Sequence, residues 1–421
     1  MQHDDRGVAQ RLSFQGVDSN LLKMVSEPVA VVLGANLNGL GMIRNFGRRG
    51  IRTVTVDHYH YMIGFFSKYS HERVCSKSRL AEALHAIGAQ YRHAILFPAG
   101  DEFLELIIRH RDSLADYYCL PLPDNYLLKN ILDKGAFYDL AGQLNVDIPK
   151  TWGCDEGENL EAIEFPCILK PAYGHVFRKY FPNRKVFVVR EMSDLKKSLA
   201  YFSGMGLKMI VQEIIPGKDE NQVSVAVYMD RNSVPLTTFV SRKVRQNPIG
   251  YGVGTYVEPY REDYIENEAK RILSRIGYKG IAEVEFRYDE RDKRYKLIEI
   301  NPRPWVQNEL SSVMGRDVIF SAYCDLAGKA PYQAETKEQK TVWVFMVRDL
   351  SSALTYIRNG QMTFRELIKS YRVKKIEATW SLADPFPLLG FLYYVLVKGT
   401  LILCSKPLSL IGSLIRRRRI F

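Results

Sequence analysis

Apolar residues fall in short continuous runs through residues 28–125. Val29-Ala30-Val31-Val32-Leu33 is one such run, the pattern of a parallel strand buried on both faces. It leads into Gly34-Ala35-Asn36-Leu37-Asn38-Gly39-Leu40-Gly41 and a helical stretch to about Arg49. Gly50 is a stop, and a second strand runs from Ile51 to Val56 and ends on Asp57. Ala94 to Phe97 repeats the pattern, followed by Pro98-Ala99-Gly100-Asp101 and another helix. Strand–helix alternation of this kind predicts a βαβ arrangement about a parallel sheet, an α/β unit.

The pattern changes over residues 126–330. A helical stretch from Tyr126 to Leu144 precedes a succession of strand-like runs: Cys167 to Lys170, Val186 to Val189, Met209 to Ile214, Val223 to Tyr228, Leu236 to Val240, Ile281 to Arg287 and Tyr295 to Ile300. Hairpin-length loops join many of them, which predicts an antiparallel α+β domain behind the α/β one. Residues 331–384 read as a small C-terminal α+β module, with strand-like runs at Val342 to Val347 and Lys375 to Trp380. Residues 1–27 are polar and read as a flexible N-terminus without the apolar stretch of a secretory leader, so a cytoplasmic chain is expected.

The glycine-containing turn at residues 34–41 lacks G-x-G-x-x-G spacing. It is either a tight strand-to-helix turn or a ligand contact, and Asp57 is either a ribose ligand or a strand end. A more specific signal lies in Gly280-Ile281-Ala282-Glu283-Val284-Glu285-Phe286 and in Leu297-Ile298-Glu299-Ile300-Asn301-Pro302-Arg303-Pro304. Strand alternation puts Glu299 and Asn301 on one face, and an antiparallel partner brings Glu285 beside them. Two carboxylates and an amide oxygen are hard ligands suited to magnesium. An acid inside the apolar run Leu297-Ile298-Glu299-Ile300 is costly to bury unless a cation meets it. Arg303, two residues on, is placed to hold a phosphate or to stabilise a phosphoryl group in transfer.

These residues resemble the magnesium motif of the ATP-grasp enzymes. Ile168-Leu169-Lys170-Pro171 is similar to the family's phosphate-binding lysine strand, and Val211-Gln212-Glu213-Ile214-Ile215-Pro216-Gly217 to its adenine hinge. Leu132-Asp133-Lys134, followed by Asn145-Val146-Asp147-Ile148-Pro149, resembles its opening helix and turn. The resemblance covers about residues 28–330. It implies a Rossmann-like N-terminal domain over 28–125 and a two-lobed ATP-grasp domain over 126–330. It also implies Lys134 and Lys170 on phosphates, the backbone of Glu213, Ile214 and Ile215 on adenine, Asp219 or Glu220 on ribose, and Glu285, Glu299 and Asn301 on Mg2+, with Mn2+ as a substitute. Ser241-Arg242-Lys243-Val244-Arg245-Gln246-Asn247-Pro248 and the glycines at 250, 252 and 254 resemble the carboxylate–amine ligase branch that includes D-aspartate ligase-like proteins. Lys243 and Arg245, two apart, are expected on one strand face toward the substrate carboxylate or acyl phosphate. The segment from Ala172 to Lys185 departs from the family's glycine-rich phosphate cover: it has one glycine and carries His175, Arg178, Lys179 and Lys185. It is expected to supply charge or to act as a lid.

The activity implied is an ADP-forming ligation of a small-molecule or lipid-linked carboxylate to an amine. An ATP-binding module without ligase activity and a nicotinamide oxidoreductase built on residues 28–125 remain as alternatives. Composition narrows the partners. The net charge is +12, but Lys398, Lys406 and Arg416 to Arg419 account for six of those charges, and no acid lies within residues 385–421. A basic stripe for nucleic acid is therefore not expected. Phe386 to Cys404 and Leu408 to Ile415 are apolar, and arginines follow. That combination suits peripheral attachment to anionic lipid at the inner face of the membrane. The six cysteines lack C-x-x-C spacing and are expected as free thiols. The oligomeric state is left open.

Overall fold

Five parallel strands build the first sheet: β1 (Ala30–Leu33), β2 (Thr53–Asp57), β3 (Glu72–Cys75), β4 (Ala94–Pro98) and β5 (Tyr118–Cys119), in the order β3-β2-β1-β4-β5. The computed structural model describes residues 27–404 apart from 154–159, 182–183, 334, 336 and 338–339, with backbone alone for 398–404. The polar residues 1–26, the apolar run 408–415 and the arginines 416–419 lie outside the described residues. Helices α1 (Leu37–Gly47), α2 (Leu80–Tyr91) and α3 (Asp101–Ala115) cover this sheet. Every residue of β1 is buried, as its unbroken apolar run requires.

The turn after β1 is tight, and most of its backbone donors are engaged within the protein. Asn36 caps α1 by accepting from the amides of Asn38 (2.9 Å) and Gly39 (3.1 Å). Asp57 accepts from the amide of Ala35 (2.7 Å). Gly34 has φ +112°, and a Cβ there would lie 2.5 Å from the Phe103 ring. The glycine is thus required by backbone conformation and by helix packing.

The expected single helix from Tyr126 to Leu144 is two: α4 (Asn125–Leu132) and α5 (Lys134–Gln143). Asp133 breaks it. Its backbone is extended and its carboxylate accepts from the amides of Gly135 and Ala136, which starts a new helix with Lys134 at its first position. A four-stranded antiparallel sheet follows, in the order β6-β9-β7-β8: β6 (Thr151–Trp152), β7 (Cys167–Pro171), β8 (Phe187–Val189) and β9 (Met209–Glu213). Helices α6 (Gly174–Tyr180) and α7 (Met192–Gly204) pack on it.

The largest sheet has seven strands: β10 (Gln222–Met229), β11 (Pro235–Asn247), β12 (Val253–Pro259), β13 (Gly280–Asp289), β14 (Arg294–Asn301), β15 (Thr341–Val344) and β16 (Lys374–Glu377). Their order is β14-β13-β10-β11-β12-β15-β16. Residues from the 331–384 stretch therefore extend the same sheet, through Tyr256↔Val344 and Val257↔Trp343 pairing. The remaining helices are α8 (Asp263–Arg275), α9 (Asn308–Val313), α10 (Val318–Leu326), α11 (Met346–Arg358), α12 (Phe364–Ser370) and α13 (Pro387–Cys404).

One continuous core joins the first sheet to the third. Phe46 and Phe97 share it with Ile281, Trp305, Tyr323, Trp343 and Phe391. A buried ion pair fixes this junction: Arg44 of α1 donates to the Asp384 carboxylate at 3.0 Å and to the carbonyls of Ala378 and Thr379, each at 3.1 Å. Both side chains are fully buried, and Glu309 lies 3.5 Å from Arg44 as well, so removing Arg44 would leave the Asp384 charge buried without a cation.

Candidate active site

The antiparallel pairing of β13 with β14 sets Glu285 opposite Glu299 and Glu283 opposite Asn301. Period-two alternation then places all four side chains on one face. The Asn301 amide lies 3.1 Å from Glu283 and 3.4 Å from both Glu285 and Glu299. Three carboxylates so close repel one another, and burial adds to the cost. Glu283 absorbs this: burial and the Glu285 charge push its carboxyl up to about 7. Glu283 was not among the candidates drawn from the sequence, although its spacing from Glu285 carried the signal.

Lysines on facing elements offset the acids. Lys134, fixed by the Asp133 cap, reaches Glu299 at 3.1 Å. Lys243 of β11 reaches Glu285 at 2.7 Å, with both side chains less than a tenth exposed. Burial opposes ionisation of Glu299, but Lys134, Lys185 and Lys170 overcome it and hold its carboxyl well below the usual range. Burial also opposes protonation of Lys243, and Glu285 and Glu283 reverse that. Among the described residues no carboxylate lies within ion-pair reach of Lys170. It ends β7 and donates to the Gln212 side-chain oxygen at 2.5 Å. Burial and the nearby Lys134 charge lower its ammonium to about 7. Lys185 is lowered too, by burial and then by Lys243. Lys170 is therefore poised to gain charge when an anion enters the cleft.

Arg303 points to the first domain. Its Nε donates to Asp101 at the start of α3 (2.6 Å), and Arg178 of α6 donates to the other Asp101 oxygen (2.8 Å). The two arginines hold the Asp101 carboxyl low against its burial, which is the largest effect on it. Asp101 thus ties three elements together at the mouth of the cleft. The segment from Ala172 to Lys185, expected as a loop or lid, contains the short helix α6. Phe177 anchors it, buried and stacked on Phe181 at 4.7 Å.

Lys134, Lys170, Glu213, Ile214, Ile215, Lys243, Glu285, Glu299, Asn301 and Arg303 all line one cleft between the four- and seven-stranded sheets. The Glu213 carboxylate is engaged by Arg291 (2.8 Å) and by the Lys150 amide (2.9 Å), so it braces the hinge from behind. Gln222, also missed in the sequence, lines the cleft and donates to Glu285.

Three expected residues are elsewhere. Arg245 does not share the face of Lys243. A β-bulge between them breaks the alternation, and Arg245 points into the 331–384 region. There it pairs with buried Asp349 at 2.6 Å, its guanidinium 4.1 Å from the centre of the Tyr256 ring. Asp219 is buried outside the cleft wall, where Tyr356 and the Gly250 amide donate to its carboxylate. Glu220 faces Lys218 at 3.6 Å on the surface. Both acids lie in a 3-10 turn at Asp219–Asn221, and neither lines the cleft.

Among the described residues no three His, Cys, Asp or Glu side chains form a ready-made metal cage. The donor set nevertheless fits magnesium, which takes one or two protein carboxylates and completes its shell from phosphate oxygens and water. Glu285 and Glu299 are such a pair. Asn301, turned about its last bond, offers its oxygen to the same spot.

The chain matches the family "Carbamoyl-phosphate synthase L chain, ATP binding domain" over residues 206–327. It is 28% identical over 307 residues to the D-aspartate ligase of Enterococcus faecium, covering 66% of this chain and 71% of that protein. It is 27% identical over 183 residues to the D-alanine–D-alanine ligase of Anaplasma marginale, covering 41% and 52%. The fold is similar to that of N5-carboxyaminoimidazole synthetase from Staphylococcus aureus, with a TM-score of 0.59 and 16% identity over 75% of this chain and 81% of that one. The lysine strand, the segment after β9 and the acidic strand pair thus meet on one cleft, in a chain similar in sequence to a D-aspartate ligase and, over residues 206–327, to an ATP-binding domain.

Proposed function

We propose that this protein joins a carboxylate to an amine at the expense of ATP, through an acyl phosphate. The observation that carries the reading is the convergence of Lys134, Lys170, Glu285, Glu299, Asn301 and Arg303 on one cleft beneath the hinge. In this reading residues 28–125, 126–330 and 331–384 act as pre-ATP-grasp domain, ATP-grasp domain and C-terminal module. Adenine sits against the backbone of Glu213 to Ile215, and Lys134 and Lys170 hold phosphates. Glu285, Glu299 and Asn301 hold Mg2+, which when bound screens the phosphate charge.

A substrate carboxylate oxygen attacks the γ-phosphorus, and the bond to the β-phosphate oxygen breaks, releasing ADP. The amine then attacks the acyl carbon, inorganic phosphate leaves, and the amine loses a proton. Arg303 and Lys243, which line the cleft, stabilise charge on the phosphoryl group in transfer. Asp101 acts as a positioning residue through Arg303. No covalent protein nucleophile is needed, so positioning and charge stabilisation supply the rate.

A finer reading concerns residues 385–421, which we propose rest on anionic lipid. Among the described residues no helix is long and apolar enough to cross a membrane. Helix α13 packs one face on the protein's own core through Phe391 and Tyr394. Its other face leaves Leu389, Leu392, Val395 and Leu396 exposed, Leu396 by 67%. An exposed apolar helix face followed in sequence by four arginines suits peripheral attachment.

Three outcomes are expected. Hydroxylamine, supplied with ATP and a carboxylate panel, should trap a hydroxamate with ADP as co-product, read by mass spectrometry. AMP release without hydroxamate would point to adenylate chemistry instead. Phosphate should raise the lowered Lys170 ammonium, so ATP binding at pH 8 should take up a proton that is already present below about pH 6. Calorimetry in two buffers of different ionisation enthalpy measures this. Lys170→Met should abolish the uptake and weaken ATP by about 1.5–3 kcal/mol; equal heats in both buffers would remove Lys170 from the phosphate site. At low salt the full chain should float with anionic but not zwitterionic liposomes, and serine at Leu392, Val395 and Leu396 should reduce flotation. A chain left in the soluble fraction with both vesicle types would overturn the attachment.

A further inference from the structure

A second cavity, of about 740 Å³, lies beside the nucleotide cleft. The two share Asp101, Arg178, Lys185, Gly252, Gly254 and Arg303 as a common wall. A molecule in the second cavity therefore reaches the Arg303 end of the reacting centre. The volume lies within the roughly 300–1,000 Å³ of sites that enclose drug-sized ligands. A single small amino acid would fill only a fraction of it, leaving most of the wall without contacts.

The chemistry of the wall is uneven. Part of the lining is apolar and aromatic: Ile63, Trp343, Phe345, Phe391 and Tyr394. Phe391 of α13 meets Phe345 edge-on at 5.4 Å, and Tyr394 lies 6.0 Å from Tyr61, so α13 is built into this wall. The lining also carries the cations Arg184, Lys185 and Arg348. Arg348 lies over the Phe345 ring (5.7 Å) and Arg184 over Phe187 (5.2 Å), and among the described residues neither has a carboxylate in ion-pair reach. Glu102 is also on the rim, while the Asp101 carboxylate is held by its two arginines. The polar side chains at the β1 end are turned inward, with the Asn36 and Asn38 amides donating to Ala99 and Pro304 carbonyls.

We infer that this cavity binds the non-nucleotide substrate, and that this substrate is an anion with a bulky apolar body. The apolar body lies against Trp343, Phe391 and Tyr394, and the anionic group faces Arg184 and Arg348. The inference rests on the ligase reading and adds the substrate class to it. It also gives α13 a role at the site, beyond covering the core.

The test uses the full chain and binding alone. N-decanoyl-glutamate, free glutamate and neutral decanamide are titrated calorimetrically below the micellar concentration of the acylated probe. The acylated anion should bind at least tenfold tighter than glutamate and than decanamide. Arg348→Ala and Tyr394→Ala, each checked for fold by circular dichroism, should weaken it at least fivefold while ATP affinity stays within twofold. Glutamate or decanamide binding as tightly as N-decanoyl-glutamate would overturn the inference, as would two folded variants that bind like the parent chain. Probe binding needs no turnover. Failure of hydroxamate trapping with intact probe binding would therefore sink the ligase reading alone, and trapping with an indifferent probe would sink the cavity assignment alone.

Discussion

Everything at this site follows from one electrostatic constraint: three carboxylates on one buried sheet face need cations. Glu283, Glu285 and Glu299 are brought together by strand register, and no rearrangement short of breaking the β13–β14 pairing can separate them. Burying a lone carboxylate costs several kcal/mol even after relaxation, and three multiply the problem. The protein meets it from three directions: Lys134 at a helix start, Lys243 on the neighbouring sheet strand, and Asn301 between the acids. Among the described residues the same arrangement leaves Lys170 and Lys185 outside ion-pair reach of a carboxylate. Burial lowers both ammonium groups, and that of Lys170, lowered to about 7, is the one an entering anion would charge further.

The first domain takes part in this balance. Asp101 sits after the last apolar strand end of a Rossmann-like sheet, a position where ligands commonly approach in open α/β folds. Here it grips Arg303 from the end of β14 and Arg178 from α6. A displacement of α6 would cost an ion pair at Asp101, so the position of α6 and the orientation of Arg303 are linked through one carboxylate. The buried Arg44–Asp384 pair holds the far side of the same domain against the large sheet, which keeps the Asp101 hinge point fixed.

Much of this was legible in the sequence, because alternation and apolar context are local signals. Glu299 inside an apolar run, Asn301 two residues on, and Lys170 at the end of a buried strand all appear where the pattern put them. What escaped depends on non-local or sub-element geometry. Arg245 follows the same spacing rule from Lys243, but a bulge invisible to the rule turns it toward Asp349. Asp219 and Glu220 were assigned by analogy with a hinge, and both lie in a 3-10 turn outside the cleft lining. The helix break at Asp133 was hidden by apolar periodicity on both sides, although a capping aspartate is itself a local signal. Glu283, two residues before Glu285 on β13, shares its strand face by the same alternation, so its place was legible locally. Asp101 was visible only as a loop residue, since its partners lie 77 and 202 residues away.

The most direct test of the account is whether ATP binding depends on magnesium through Glu299. Calorimetric titration of ATP into the full chain should give an affinity at least tenfold higher with magnesium than with excess chelator. In Glu299→Gln, folded as judged by circular dichroism, the two affinities should converge. ATP binding that is indifferent to magnesium in the parent chain, or an unchanged magnesium dependence in Glu299→Gln, would contradict the assignment of the acidic strand pair as the metal–nucleotide site.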